Sequence, residues 1–159
     1  MKYFLDSAKL DEIKFAYEHY CIDGVTTNPK HIKLSGKPFM QCVRDIAAWL
    51  RETGLEGTDF PVSFEINPHL DQWEEIVAAA KEVASYSKNY AIKIPCCEQG
   101  GSSPPKMLEE QGVRTNVTLV FSPSQAIQAA KAGARSSSPP LWAGRRITAR
   151  TRSNTSPGS

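Results

Sequence analysis

The sequence predicts an α/β fold in which βα units build a parallel sheet. Short apolar runs of strand length alternate with segments of about ten to fifteen residues whose apolar positions recur at helical spacing. One run, Tyr90-Ala91-Ile92-Lys93-Ile94-Pro95, is apolar on both sides of a single lysine, which suits a strand buried on both faces. Polar residues also gather at the carboxyl ends of the runs, where parallel-sheet folds bind their ligands.

Tyr3-Phe4-Leu5 reads as a short strand ending at Asp6, and Ser7 is placed to cap a helix that aligns Leu10, Ile13 and Tyr17 on one face. Gly24-Val25-Thr26-Thr27 is a second strand, closed by Asn28-Pro29. A second helix begins around Pro38, carries Val43, Ile46, Ala47 and Leu50 on its apolar face, and ends at Gly54 and Gly57. Phe60 to Ile66 forms strand three, and Asp71 opens a helix through Trp73, Ile76, Val77, Ala80, Val83 and Ala84. Strand four carries Lys93 and stops at Pro95, which has no N–H for a ladder. Arg114 to Phe121 is strand five. Ser122-Pro123 then opens a last helix, with proline in its first turn, that runs to Ala132-Gly133.

On these strands stand Asp6, Thr26 and Asn28, Glu65, Lys93, and Asn116 with Thr118. A buried lysine is costly unless it is paired or has lost its proton, and loss of the proton makes the amine a nucleophile. Each residue also has an ordinary structural role. Lys93 can bury its stem and reach a carboxylate, Asp6-Ser7 can cap a helix, and Asn28-Pro29 can be a turn. Glu65 can meet a surface lysine, and Thr118 suits any strand. Five consecutive strands with polar groups at the same end fit those roles less well. If the sheet curls into a barrel, the groups converge on one mouth.

The 159 residues suffice for one domain with a real core. The formal charge of +2 hides an asymmetry: residues 135–159 hold five arginines and no acid, so residues 1–134 carry 14 bases against 17 acids, a net of −3. No apolar stretch reaches membrane-spanning length, and the N-terminus lacks a signal-peptide pattern, so no membrane partner is expected. Cys21, Cys42, Cys96 and Cys97 lack zinc-type spacing, and the histidines His19, His31 and His69 lack ligand spacing, so no metal is expected. Reduced thiols in a cytoplasmic protein follow.

Four stretches carry a family resemblance: Phe4-Leu5-Asp6-Ser7-Ala8, Asp23-Gly24-Val25-Thr26-Thr27-Asn28-Pro29, Ile92-Lys93-Ile94-Pro95, and Thr115-Asn116-Val117-Thr118-Leu119-Val120-Phe121-Ser122-Pro123-Ser124-Gln125-Ala126. In order and spacing they resemble the transaldolase family, in its short branch that includes transaldolase-like proteins and fructose-6-phosphate aldolase. The resemblance covers nearly all of residues 1–134. It implies a (β/α)8 TIM barrel and class I aldolase chemistry without a cofactor. Lys93 would be the Schiff-base lysine and Asp6 the acid/base. Glu65 and Thr118 would position a water for proton transfer, and Asn28, Thr26 and Asn116 would bind the substrate. Glutamate at position 65 looks like transaldolase proper, so transfer of a dihydroxyacetone unit between sugar phosphates, as in the pentose phosphate pathway, is favoured over aldol cleavage. An intact homologue is open to homo-oligomerisation. The competing readings are a non-catalytic remnant that uses a basic tail, and another sugar-phosphate barrel enzyme such as an epimerase or isomerase.

Two segments depart from the family pattern. Gly100-Gly101-Ser102-Ser103-Pro104-Pro105 stands where a helix should continue, at a cost of about 1 kcal/mol per glycine and about 3 per proline in a helix interior. After Ala134 a sixth strand and a phosphate-binding arginine are expected, but residues 135–159 form an arginine- and serine-rich tail whose composition fits disorder. The domain reading is therefore a partial barrel over 1–134, with about five βα units, and a basic tail over 135–159. A literal reading of the tail is an arm for nucleic acid or an acidic surface, although a nucleic-acid partner is not expected. The favoured reading is a shift of reading frame at both breaks. A barrel takes about 250 residues, so the chain as written is expected to turn over little or no substrate. Resequencing the coding DNA is expected to restore the family pattern downstream of codon 134 in another frame. An intact frame with these codons confirmed would sink the idea.

Overall fold

The computed structural model of the protein describes residues 2–66, 72–96, 104–134 and 136–138. The chain alternates β1 (Phe4–Asp6), α1 (Leu10–Tyr20), β2 (Gly24–Thr26), α2 (Pro29–Ser35), α3 (Phe39–Glu52), β3 (Val62–Glu65), α4 (Trp73–Ala84), β4 (Tyr90–Pro95), α5 (Pro104–Glu110), β5 (Thr115–Thr118), α6 (Pro123–Lys131) and β6 (Ser136–Ser138). All neighbouring strands run parallel, in the order β1-β2-β3-β4-β5-β6. A doubly wound sheet must reverse its order at a switch point. Here each new strand is added at the same edge, which is how a (β/α)8 barrel grows. The fold is an incomplete barrel of that type, five βα units followed by a sixth strand.

Alternation along each strand divides the sheet into two faces. Leu5, Val25, Val62, Phe64, Tyr90, Ile92 and Ile94 point to the helices and pack with Ile13, Val43, Ile46, Leu50, Ala80 and Leu108 in the main core. A smaller cluster joins Val117 of β5 to Ala126 and Ala129 of α6. The opposite face, which lines the barrel interior, carries Phe4 and Asp6, Gly24 and Thr26, Ser63 and Glu65, Ala91 and Lys93, and Asn116 and Thr118. Gly24 is required there: a Cβ would lie 2.5 Å from the Phe4 ring and 2.6 Å from the Pro61 carbonyl oxygen.

The structure corrects the sequence reading at several places. Asn28-Pro29 is not only a turn but the start of α2, with Pro29 in the first turn and Asn28 Oδ1 accepting from His31 N at 3.0 Å. Ser7 is not the N-cap of α1. Its Oγ accepts from Lys9 N at 3.2 Å and donates to Glu12 Oε2 at 2.6 Å, and the helix starts at Leu10. β5 ends at Thr118 rather than Phe121, because Leu119 adopts a left-handed φ of 59° that no strand continues. The prolines of the divergent segment lie in the first turn of α5, where a missing N–H breaks no helical bond. The sheet also runs past residue 134: β6 pairs Ser136, Ser137 and Ser138 with Asn116, Val117 and Thr118. Asp71, the expected helix start, and residues 139–159 lie outside the described residues. Among the described residues no helix is long and apolar enough to cross a membrane.

At the end of the sheet away from the polar mouth, Asn89 is fully buried and ties the chain before β3 to the start of β4. Its Oδ1 accepts from Gly57 N at 2.6 Å, and its Nδ2 donates to Phe60 O at 2.8 Å and Leu55 O at 2.9 Å. Asn89→Ala strands these backbone groups and is expected to cost about 3 kcal/mol in urea unfolding. A loss under about 1 kcal/mol would show that the loop re-pairs without it.

Candidate active site

Lys93 sits centrally in β4, 9% exposed, with Glu65 of β3 beside it in register on one flank and Asn116 of β5 on the other. Its Nζ lies 3.6 Å from Glu65 Oε2 and donates to Thr27 O at 3.1 Å. Thr27 is fixed for this role, since its N and its Oγ1 both donate to Ser63 O at 2.9 Å. The lysine is therefore held between a carboxylate and a carbonyl at the end of an apolar stem. Burial pushes the Glu65 carboxyl above the usual carboxylate range, against the pull of the Lys93 ammonium, and the nearby Asp6 charge pushes the same way as burial. A carboxyl poised in this way can exchange protons with a neighbouring amine.

Asp6 closes β1 in register with Thr26, whose Oγ1 donates to Asp6 Oδ1 at 2.9 Å. The other carboxylate oxygen, Oδ2, lies 3.3 Å from His31 Nε2. Asn28 is the N-cap of α2 and spends its side-chain oxygen on His31 N. Asn116 is buried and donates through Nδ2 to Ser63 Oγ at 3.2 Å. Thr118 lies one step further along the same face of β5, 8% exposed, in register with Pro95.

Parallel register explains why these residues meet. Asp6, Thr26, Ser63 and Ala91 form one row across β1 to β4, and Glu65, Lys93 and Asn116 form the next row across β3 to β5. Asn28 belongs to neither row: it follows Thr27, past the end of β2 at the head of α2. Reading the sequence alone missed Ser63, Thr27 and His31 as parts of this site. Ser63 left a signal, since it precedes Glu65 by two residues in an apolar run and so must share its face. His31 left none, because its approach to Asp6 depends on α2. Among the described residues no group of three or more histidines, cysteines or acids converges to hold a metal ion. The arrangement offers a lysine, two carboxyl groups and amide donors on one wall.

The raised Glu65 sets a sign for stability against pH. A carboxyl with a higher pKa in the folded chain contributes stability fully below its unfolded value, about 4.3, and loses it as pH rises through the folded value. Lys93→Met removes the opposing ammonium, so its loss of unfolding free energy between about pH 4 and pH 7 is expected to exceed that of the wild type. Equal pH dependence in urea titrations of both proteins would show that Glu65 and Lys93 do not interact.

The family model for Transaldolase/Fructose-6-phosphate aldolase matches residues 3–152. The 6-deoxy-6-sulfo-D-fructose transaldolase of Priestia megaterium is 54% identical over 139 residues, covering 87% of this chain and 59% of that protein. Probable transaldolases of Bdellovibrio bacteriovorus and Aquifex aeolicus are each 45% identical over 139 residues, covering 87% of this chain and 60% and 59% of theirs. The chain thus spans about three-fifths of the length of these curated relatives. Among solved structures, a 2,3-dimethylmalate lyase of the PEP mutase/isocitrate lyase superfamily aligns with a TM-score of 0.56 over 87% of this chain and 56% of its own, at 8% identity, a likeness of fold alone. With its four motifs on the strands that the family model spans, the chain belongs to the transaldolase/fructose-6-phosphate aldolase family.

Proposed function

We propose that these residues carry out transaldolase chemistry, the transfer of a three-carbon dihydroxyacetone unit between sugar phosphates through a Schiff base on Lys93. The observation that carries this reading is the buried Lys93 Nζ, 3.6 Å from a carboxylate and flanked in register by Glu65 and Asn116. Lys93 passes a proton to Glu65, the freed amine attacks the ketose C2 carbonyl, and the carbinolamine loses water to give an iminium. Glu65, whose carboxyl holds its proton unusually well, donates to the departing hydroxyl, with Thr118 placing the water. Asp6 accepts the proton of the C4 hydroxyl as the C3–C4 bond breaks. The bond's electron pair flows into the iminium, leaving an enamine on Lys93 and releasing an aldehyde. The enamine then attacks an acceptor aldehyde, and hydrolysis frees the new ketose. Asn28 and Asn116 bind the hydroxyls of the three-carbon unit, with Thr26 beside them.

Aldol cleavage differs only in that the enamine is protonated and hydrolysed to dihydroxyacetone. A glutamate at position 65 favours transfer, through the family resemblance. A second reading concerns the donor. The relative named for 6-deoxy-6-sulfo-D-fructose is 54% identical, against 40–45% for those named only probable transaldolases. Sulfofructose and fructose 6-phosphate are alike at C1 to C4, where these residues act, and differ in the anion at C6. With the phosphate donor, the reaction belongs to carbohydrate metabolism of the pentose phosphate kind.

Incubation with fructose 6-phosphate or sulfofructose and borohydride is expected to fix a substrate-derived adduct on Lys93, located by peptide mass spectrometry, and Lys93→Met is expected to give none. Absence of an adduct from the wild type with either donor would overturn the proposal.

A further inference from the structure

The proposed mechanism asks Asp6 to accept a proton from a hydroxyl, which requires a carboxylate with one lone pair free and fixed in direction. Both of its oxygens already have neighbours. Thr26 Oγ1 donates to Oδ1 at 2.9 Å, and His31 Nε2 stands 3.3 Å from Oδ2. An imidazole nitrogen this close to a carboxylate oxygen carries its hydrogen, because two facing lone pairs would repel. We infer that His31 is a positioning residue for Asp6: it orients the carboxylate so that the free lone pair meets the C4 hydroxyl. The inference rests on the reading of Asp6 and Lys93 given above.

The surroundings of His31 fit this assignment. Its backbone is anchored by the Asn28 side chain, which accepts from His31 N at 3.0 Å. His31 thus stands in the capped first turn of α2, with about a quarter of its side chain exposed (27%). A second carboxylate near the ring, among the described residues, is Glu12 of α1. That group is engaged elsewhere, by Ser7 Oγ at 2.6 Å and Lys9 Nζ at 2.9 Å. Beyond Asp6 lie Glu65 and then Lys93, the two charged groups facing it from β3 and β4. Asp6 thus stands between a hydrogen-bond donor at α2 and a carboxyl at β3.

Borohydride trapping reads this role without turnover, because it reduces either the six-carbon iminium before cleavage or, after it, the three-carbon iminium that the enamine forms on taking a proton at carbon. With fructose 6-phosphate the wild type is expected to give mainly the three-carbon adduct, and Asp6→Asn the six-carbon one. His31→Leu is expected to lower the ratio of three- to six-carbon adduct about tenfold at unchanged total adduct, less than the hundredfold or more that loss of a proton acceptor costs. His31→Gln, which keeps a donor, restores most of the ratio, and Asp6→Asn/His31→Leu is no worse than Asp6→Asn alone. An unchanged ratio in His31→Leu would overturn the inference alone, and so would a further fall in the double variant or a loss of total adduct. A wild type that forms no adduct would overturn the catalytic reading and this inference with it.

Discussion

A lysine and a glutamate stand side by side on adjacent strands, 3.6 Å apart, in a sheet whose other face is the hydrophobic core. Taking two charges out of water is costly, and the attraction between them does little more than offset that cost. The pair therefore does not hold the sheet together. Its existence depends on everything around it: Thr27 must bring its carbonyl to Nζ, Ser63 must hold Thr27, and β3 and β4 must pair in the one register that aligns Glu65 with Lys93. A slip of one residue would turn Lys93 into the core and Ile92 or Ile94 into the polar interior.

What fixes that register is apolar. Phe64, Tyr90, Ile92 and Ile94 are almost fully buried against the helices, and Phe64 meets Tyr90 and Phe39 edge-on. These contacts select the face each strand turns to the helices, and the polar residues are left with the other. Core and site are thus two consequences of one alternation. The even-numbered positions of β4 pack into the core, and the odd ones place Lys93 in the candidate site.

The wall is built outward from β3 and β4. Glu65, Lys93, Asn116 and Ser63 share hydrogen bonds or register, while Asp6 belongs to a second group with Thr26 and His31 at the edge of β1. The two groups communicate through charge, since Asp6 raises the proton affinity of Glu65. The inner group is more buried, with Lys93 and Glu65 keeping 11% and 15% of their side chains exposed, whereas Asp6 keeps 40%.

The alternation of apolar runs and helical spacings was enough to place the strands and the parallel sheet, because period and β-branched content are local properties of the chain. Lys93, Glu65, Asn116 and Thr118 were legible for the same reason: a polar residue inside a buried strand has few places to go. Asn28-Pro29 was read as a strand closure, since a seven-residue helix is too short to leave a period. The stop at Leu119 was hidden, because an apolar residue gives no hint of a left-handed backbone. Residues 136–138 join the sheet although three serines have little strand preference, and only pairing with β5 decides that. By itself the sequence determined which residues lie on strands and which of them are chemically able. Only the tertiary structure decided that Thr27 O meets Lys93, that Ser63 holds Asn116, and that His31 reaches Asp6. Each of these contacts joins residues far apart in the chain, and such distances exist only once the strands have paired.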